Sequence, residues 1–158
     1  MNFPYPLKYT LPPELMSKMT DKVILIYRAE STWTMFPKDE ITLYQRINGE
    51  FYLKGRPIRH GAMWVDTDAI PIKEIRVSKR WVTGLFSRLE NAKISAFPPP
   101  QMGADGGFTE LEIGGYSGKA HYRWWSEPPE SWKVLDQIAS EIYNKFYNRS
   151  LLSKLTRK

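Results

Sequence analysis

Apolar residues recur every three or four positions between Pro129 and Asn148, and this spacing predicts an amphipathic helix. Its apolar stripe consists of Trp132, Leu135, Ala139, Ile142 and Phe146, with Ile138 beside it. Glu127 and Glu130 lie near its predicted N-terminal end and Lys145 and Arg149 near its C-terminal end, which suits the helix dipole. A helix with one apolar face has to bury that face, so the rest of the chain must supply a second layer.

Three segments are predicted to supply that layer as β-strands. Lys22–Trp33 begins with a continuous β-branched run, which is typical of a central strand. Glu40–Lys54 is interpreted as a hairpin, because Asn48-Gly49 between apolar runs favours a type I′ turn. Phe108–Trp125 is interpreted as a second hairpin.

A further helix is predicted from Ser78, which can cap it, to Ile94. Its apolar stripe consists of Trp81, Val82, Leu85, Leu89 and Ala92. Gly84 inside it is interpreted as a place where the helix approaches the sheet closely.

The predicted fold is therefore α+β, with an antiparallel sheet of about five strands and two amphipathic helices on one face, in the order β-ββ-α-ββ-α. We expect residues 1–158 to form a single domain, with a proline-rich N-terminal segment at 1–21 and a basic C-terminal tail at 149–158. Such a tail could extend the last helix, fray or touch an anionic surface, and fraying is the default for a terminus.

Composition excludes several kinds of site. The chain has no cysteine, which excludes disulfides, thiolate zinc sites and cysteine nucleophiles.

It has no apolar run of about 20 residues and no recognisable secretory signal, so we expect a cytoplasmic protein without membrane insertion. The net charge of +6 is uneven: 72–93 and 145–158 are basic, and 94–144 is acidic.

The residues that catalysis or metal binding would need are scattered. His60 and His121 would each need a carboxylate partner in a pocket, and a solvent-facing or core-edge histidine is the favoured interpretation. Asp66 and Asp68 could bind a hard cation, but they lack the glycine and glutamate of a calcium loop, so a turn is favoured. The sequence thus predicts no catalytic residue, no metal ligand and no cofactor.

Two surfaces are candidates for binding a partner. In Tyr122-Arg123-Trp124-Trp125 the adjacent tryptophans should face opposite sides of the sheet. One should be buried, and the other is either covered or exposed as a contact for a protein or a sugar. The second candidate is a basic face formed by Arg76, Lys79, Arg80 and Arg88, which could meet an anionic partner or be only a solvated helix face.

The C-terminal third carries a recognisable order of residues. Asp105-Gly106-Gly107-Phe108 and the alternating Leu111 and Ile113 precede the segment YRWWSEPPESW at 122–132. This segment resembles small bacterial α+β domains of unassigned function that end in a hairpin and a tryptophan-headed helix. The resemblance implies that fold for this region and implies no reaction, cofactor or functional residue.

These observations favour a non-enzymatic protein-binding module, such as an immunity or adaptor protein, because aromatic residues are abundant and charge is segregated. One alternative is a nucleic-acid-binding protein that uses the first-helix face and the C-terminal tail. A second is an enzyme with dispersed catalytic residues in which His60 or His121 meets a carboxylate.

Overall fold

The computed structural model describes residues 21–31, 39–56, 70–96, 106–114 and 118–155, with the backbone alone for 31 and 149–155. In chain order the elements are β1 (Lys22–Ser31), β2 (Asp39–Gln45), β3 (Phe51–Gly55), β4 (Lys73–Val77), α1 (Lys79–Glu90), β5 (Gly107–Gly114), β6 (Lys119–Trp125), a short 3₁₀ turn (Glu130–Trp132) and α2 (Lys133–Leu155).

The six strands form one antiparallel sheet in the order β4-β3-β2-β1-β5-β6. The chain runs outward from β1 to β4, and α1 then connects β4 to β5 on the other side of β1. The α+β class and the two helices confirm the prediction, but the sheet has six strands rather than about five. The missed strand, β4, contains only Ile75 and Val77 as apolar residues, and this pattern is too short to predict a strand.

The turn between β2 and β3 differs from the predicted type I′ turn. Gly49 N–H donates to the Arg46 carbonyl at 2.8 Å, and Arg46 N–H donates to the Glu50 carbonyl at 2.9 Å. Gly49 has φ +83°, whereas Asn48 does not have a positive φ. The loop is therefore a type I turn closed by a glycine bulge, in which only the last loop residue needs the left-handed conformation.

Helix α1 begins as predicted, because the Ser78 hydroxyl accepts a hydrogen bond from Trp81 N–H at 3.3 Å. It ends at Glu90, four residues before the predicted end. The interpretation of Gly84 is wrong: the residue is exposed, and outside its own helix a Cβ built there would meet no atom of the described residues within 4 Å. Its lack of a side chain therefore serves no helix–sheet approach.

Helix α2 follows the 3₁₀ turn, and every residue of its predicted stripe is buried. The helix continues to Leu155, so most of the segment predicted to fray is helical in backbone. Residues 1–20 lie outside the described residues, and the single-domain assignment stays a prediction.

The core lies between the helices and one face of the sheet. Alternate strand residues supply this face, because successive side chains of a strand point to opposite sides. The fully buried members are Leu25, Ile41, Leu43, Leu53 and Leu111 from the strands and Leu85, Leu135, Ile138, Ile142 and Phe146 from the helices. The other side of the sheet, which the described helices do not cover, carries mostly polar residues.

Candidate functional site: the polar face of the sheet

Strand alternation and register define a second surface, which we call the polar face. Its members are Ile26, Arg28, Glu30, Glu40, Thr42, Tyr44, Tyr52, Lys54, Glu74, Arg76, Phe108, Glu110, Glu112, Lys119, His121, Arg123 and Trp125. Its five carboxylates would repel one another if they were unpaired, so the positions of their cationic partners determine the charge that this face presents.

A row of alternating charge crosses four strands of the polar face. The register places Glu40, Arg28, Glu110 and Arg123 side by side on β2, β1, β5 and β6. Arg28 Nε lies 2.7 Å from Glu40, Arg28 Nη1 lies 3.9 Å from Glu110, and Arg123 Nε lies 3.2 Å from Glu110. Each opposite-charge pair directly across two strands contributes roughly 0.2–1 kcal/mol, so the row also fixes the register.

Glu112 joins this row to the end of β6. Its carboxylate accepts from Lys119 Nζ at 2.6 Å and lies 3.4 Å from Arg28 Nη1. The hydrogen bond from Lys119 and the charges of both cations hold the pKa of Glu112 below its ordinary value. Glu112 is therefore ionised at neutral pH and keeps Lys119 in place.

The charged groups are layered, with carboxylates inside and cations outside. The side chains of Glu110 and Glu112 are 12% and 19% exposed. Those of Lys119, His121 and Arg123 on the neighbouring β6 are 70%, 55% and 45% exposed. A partner approaching β6 therefore meets the cations of Lys119 and Arg123, which carboxylates underneath already hold in position.

An aromatic cluster adjoins these cations. The Arg123 guanidinium lies 3.8 Å from the centre of the Phe108 ring, and Trp125 meets the same ring edge to face at 4.7 Å. Phe108 and Trp125 are half-buried. Arginine stacked on aromatic rings combines charge with apolar contact area, which is typical of binding surfaces.

The four residues predicted to bind a partner divide between the two faces of the sheet. Trp124 is buried on the helix side, with its ring 6.3 Å from that of Trp132. Tyr122 points the same way and meets Trp132 edge to face at 5.5 Å. Arg123 and Trp125 lie on the polar face, so the fold brings only these two members of the set together.

A second cluster lies at the β2–β4 end of the polar face. The Tyr44 hydroxyl donates to Glu74, which also pairs with Arg46. Burial, and then the hydrogen bond to Glu74, raise the pKa of Tyr44 to about 12. These three residues help to line a cavity of about 480 Å³, together with residues of both charges that include Lys54 and Glu40.

Glu50, at the turn before β3, is held in a similar way. It accepts from the Tyr52 hydroxyl at 2.7 Å and from Asn48 Nδ2 at 3.0 Å, and Arg76 lies 2.6 Å away. These hydrogen bonds lower the pKa of Glu50 below its ordinary value. The β2–β4 end is thus a network of matched charges rather than a surface of one sign.

The residues of the predicted basic face lie at different places. Arg76 is on the polar face, and it lines a cavity together with Lys79 at the start of α1. Arg80 is exposed in the first turn of α1. Arg88 lies in the last turn, where it pairs with Glu141 of α2, so the fold does not bring it to the other three.

Of the residues considered for catalysis or metal binding, only His121 lies within the described ranges. His121 Nε2 lies 3.6 Å from Glu110, but that carboxylate also interacts with two arginines. His60, Asp66 and Asp68 lie outside the described residues. Within the described ranges, no three His, Cys, Asp or Glu side chains are grouped so that they could hold a metal ion.

Sequence reasoning missed most of the polar face, including Arg28, Glu110 and Glu112. The available signal was alternation of charged and apolar residues, as in Glu110-Leu111-Glu112 and Lys119-Ala120-His121. The prediction relied instead on the adjacent tryptophans and their aromatic neighbour.

No protein-family model matches this sequence, and no curated protein is significantly similar to it. The resemblance of the C-terminal third to small bacterial domains accordingly stays a prediction. In the part of the chain that the structure describes, no helix has both the length and the apolar character needed to cross a membrane.

Proposed function

We propose that this chain is a non-enzymatic protein-binding module, of the kind found among immunity and adaptor proteins, and that it meets its partner with the β6 end of the polar face. The observation that carries the proposal is the layer of the exposed Lys119 and Arg123 cations over the carboxylates of Glu112 and Glu110, beside the Arg123–Phe108–Trp125 cluster.

Arginine and tryptophan are the residues most enriched among those that dominate binding energy at protein interfaces. Arg123 and Trp125 lie here within one connected cluster. Because Glu110 and Phe108 already hold the Arg123 side chain, binding costs little additional side-chain entropy. The exposed cations of β6 favour a partner whose contact surface is acidic.

A nucleic-acid partner is the alternative, and the exposed Lys79 and Arg80 in the first turn of α1 favour it. The polar face itself does not suit phosphates, since Glu110, Glu112 and Glu30 lie among its cations. The two proposals therefore place the binding surface on different elements, which a pair of charge reversals can separate.

The test is affinity capture from the native host with three forms of the tagged chain. The wild type should retain a stoichiometric protein partner, and Lys119→Glu combined with Arg123→Glu should lose it. Lys79→Glu combined with Arg80→Glu is the matched control and should retain the partner. Equal capture by both variants, or no stoichiometric protein at all, would contradict the proposal.

The same three forms distinguish the alternative. A nucleic-acid-binding protein should bind DNA or RNA with an affinity that falls steeply as salt rises. Loss of that binding in the α1 variant alone would favour the alternative over the protein-binding proposal.

A further inference from the structure

Strand β6 is an edge of the described sheet, since it pairs with β5 on one side and with no described residue on the other. Ser126 N–H donates to the Gly107 carbonyl at 2.8 Å, which sets the hydrogen-bonding alternation along this ladder. By that alternation Trp124 bonds to β5, whereas the N–H and C=O groups of His121 and Arg123 point away from it. Within the part of the chain that the structure describes, this edge therefore offers a row of backbone donors and acceptors.

Two residues whose backbone groups point outward, Lys119 and Arg123, also carry exposed cations of the polar face. They lie at alternate positions along β6 with His121 between them. If β6 paired antiparallel with the same strand of a second copy, cations would oppose cations, which is unfavourable. A second copy of the chain is thus a poor occupant of this edge.

Charge alternation along the sheet indicates a better occupant. The row Glu40, Arg28, Glu110, Arg123 runs negative, positive, negative, positive and ends at β6. The residue that would continue this alternation on an added strand, opposite Arg123, is a carboxylate.

The helix-side neighbours of these cations define the intervening positions of such a strand. Ala120 and Tyr122 are half-buried and point toward the helices. An added strand would place every second side chain beside them, and apolar residues fit that environment.

We propose that β6 accepts an extended segment of a partner protein as an additional strand, with Asp or Glu at alternate positions and apolar residues between them. This inference rests on the proposed protein-binding function and specifies how the partner docks. Main-chain hydrogen bonds supply affinity, and the ion pairs with Lys119 and Arg123 supply specificity.

The test uses synthetic peptides of about seven residues, the length of β6, and the backbone amide NMR spectrum of the whole chain. The first peptide alternates Glu with Val, and the second carries Lys in place of Glu. The third is the Glu peptide N-methylated at the alternate residues whose amides would face β6. The Glu peptide should bind and shift the amide signals of Lys119–Trp125. The Lys peptide and the form N-methylated on its edge-facing amides should not bind.

A charge-swapped chain provides the matched variant. Lys119→Glu combined with Arg123→Glu should weaken binding of the Glu peptide by about tenfold, since two exposed attractions become repulsions. The same variant should gain binding of the Lys peptide. Unchanged amide signals on β2 and β3 show that the variant is folded.

Three results would overturn the inference: no binding of the Glu peptide, equal binding of its N-methylated form, or amide signals that shift elsewhere in the chain but not along β6. Lys119, His121 and Arg123 would then serve only to prevent unwanted strand pairing. If the peptide test fails but partner capture still depends on the polar face, the proposed function stands, because that face can bind without strand addition.

Discussion

Trp124 and Trp132 are buried neighbours that differ in one contact. Trp132 Nε1 donates to the Ser95 carbonyl at 2.8 Å, whereas Trp124 Nε1 has no hydrogen-bond partner among the described residues. Replacing either ring by Phe removes similar apolar area, but only Trp132→Phe removes a hydrogen bond. We expect Trp132→Phe to lower the free energy of unfolding by about 1 kcal/mol more than Trp124→Phe, measured by urea denaturation. Equal losses would show that the Trp124 N–H is satisfied.

At the same scale, Glu112 makes stability depend on pH. Its pKa in the folded protein is lowered, so the unfolded chain takes up the proton first as pH falls. The stabilisation from its charge is therefore complete above the ordinary value of 4.5 and is lost as pH falls through the lower folded pKa. Glu112→Gln should cost about 1 kcal/mol at pH 7, with the difference from wild type shrinking in acid. Denaturation curves from pH 7 to about 2.5 measure it.

Glu90→Gln is the control for that series, because Glu90 is an exposed carboxylate at the end of α1. It should change stability little at either end of the range. If Glu112→Gln and the wild type have the same free energy of unfolding at every pH, the contacts of Glu112 with Lys119 and Arg28 contribute nothing to stability.

At the scale of elements, the sequence predicts an element well where its own residues carry the signal. The α2 stripe and the Ser78 cap are local patterns, and both are present as predicted. The β2–β3 turn was located correctly, but its type depends on how the strands meet, which Asn48-Gly49 alone does not determine. Strand β4 was missed because its five residues gain their strand character from pairing with β3.

Two glycines, one in helix α1 and one in the β2–β3 turn, test the backbone conformations described above. Gly84→Ala in α1 should raise the free energy of unfolding by about 1 kcal/mol, because the site is helical, exposed and free of close neighbours. Gly49→Ala should instead destabilise, since φ there is +83° although the nearest atom to a new Cβ is 3.9 Å away. Thermal and urea unfolding of both variants provide the measurement. Destabilisation by Gly84→Ala would indicate that a neighbour outside the described residues contacts it.

At the scale of the whole molecule, the two faces of the sheet have different roles. One face and the two helices enclose the core, and the other face carries rows of paired charges that cross the strands. The sequence contains the alternation of each row but not the register that aligns Glu40 with Arg28 and Glu110 with Arg123. Of the predicted binding residues, Arg123 and Trp125 lie on the polar face and Trp124 and Tyr122 on the helix side, and their part in binding stays a prediction.

The most direct measurement is amide hydrogen exchange of the chain, free and in complex with the partner captured from its host. We expect slower exchange in the complex along Lys119–Trp125, greatest at the outward amides of His121 and Arg123, and unchanged exchange in α1. Slower exchange confined to α1, or no change along β6, would contradict the assignment of this face and edge as the binding surface.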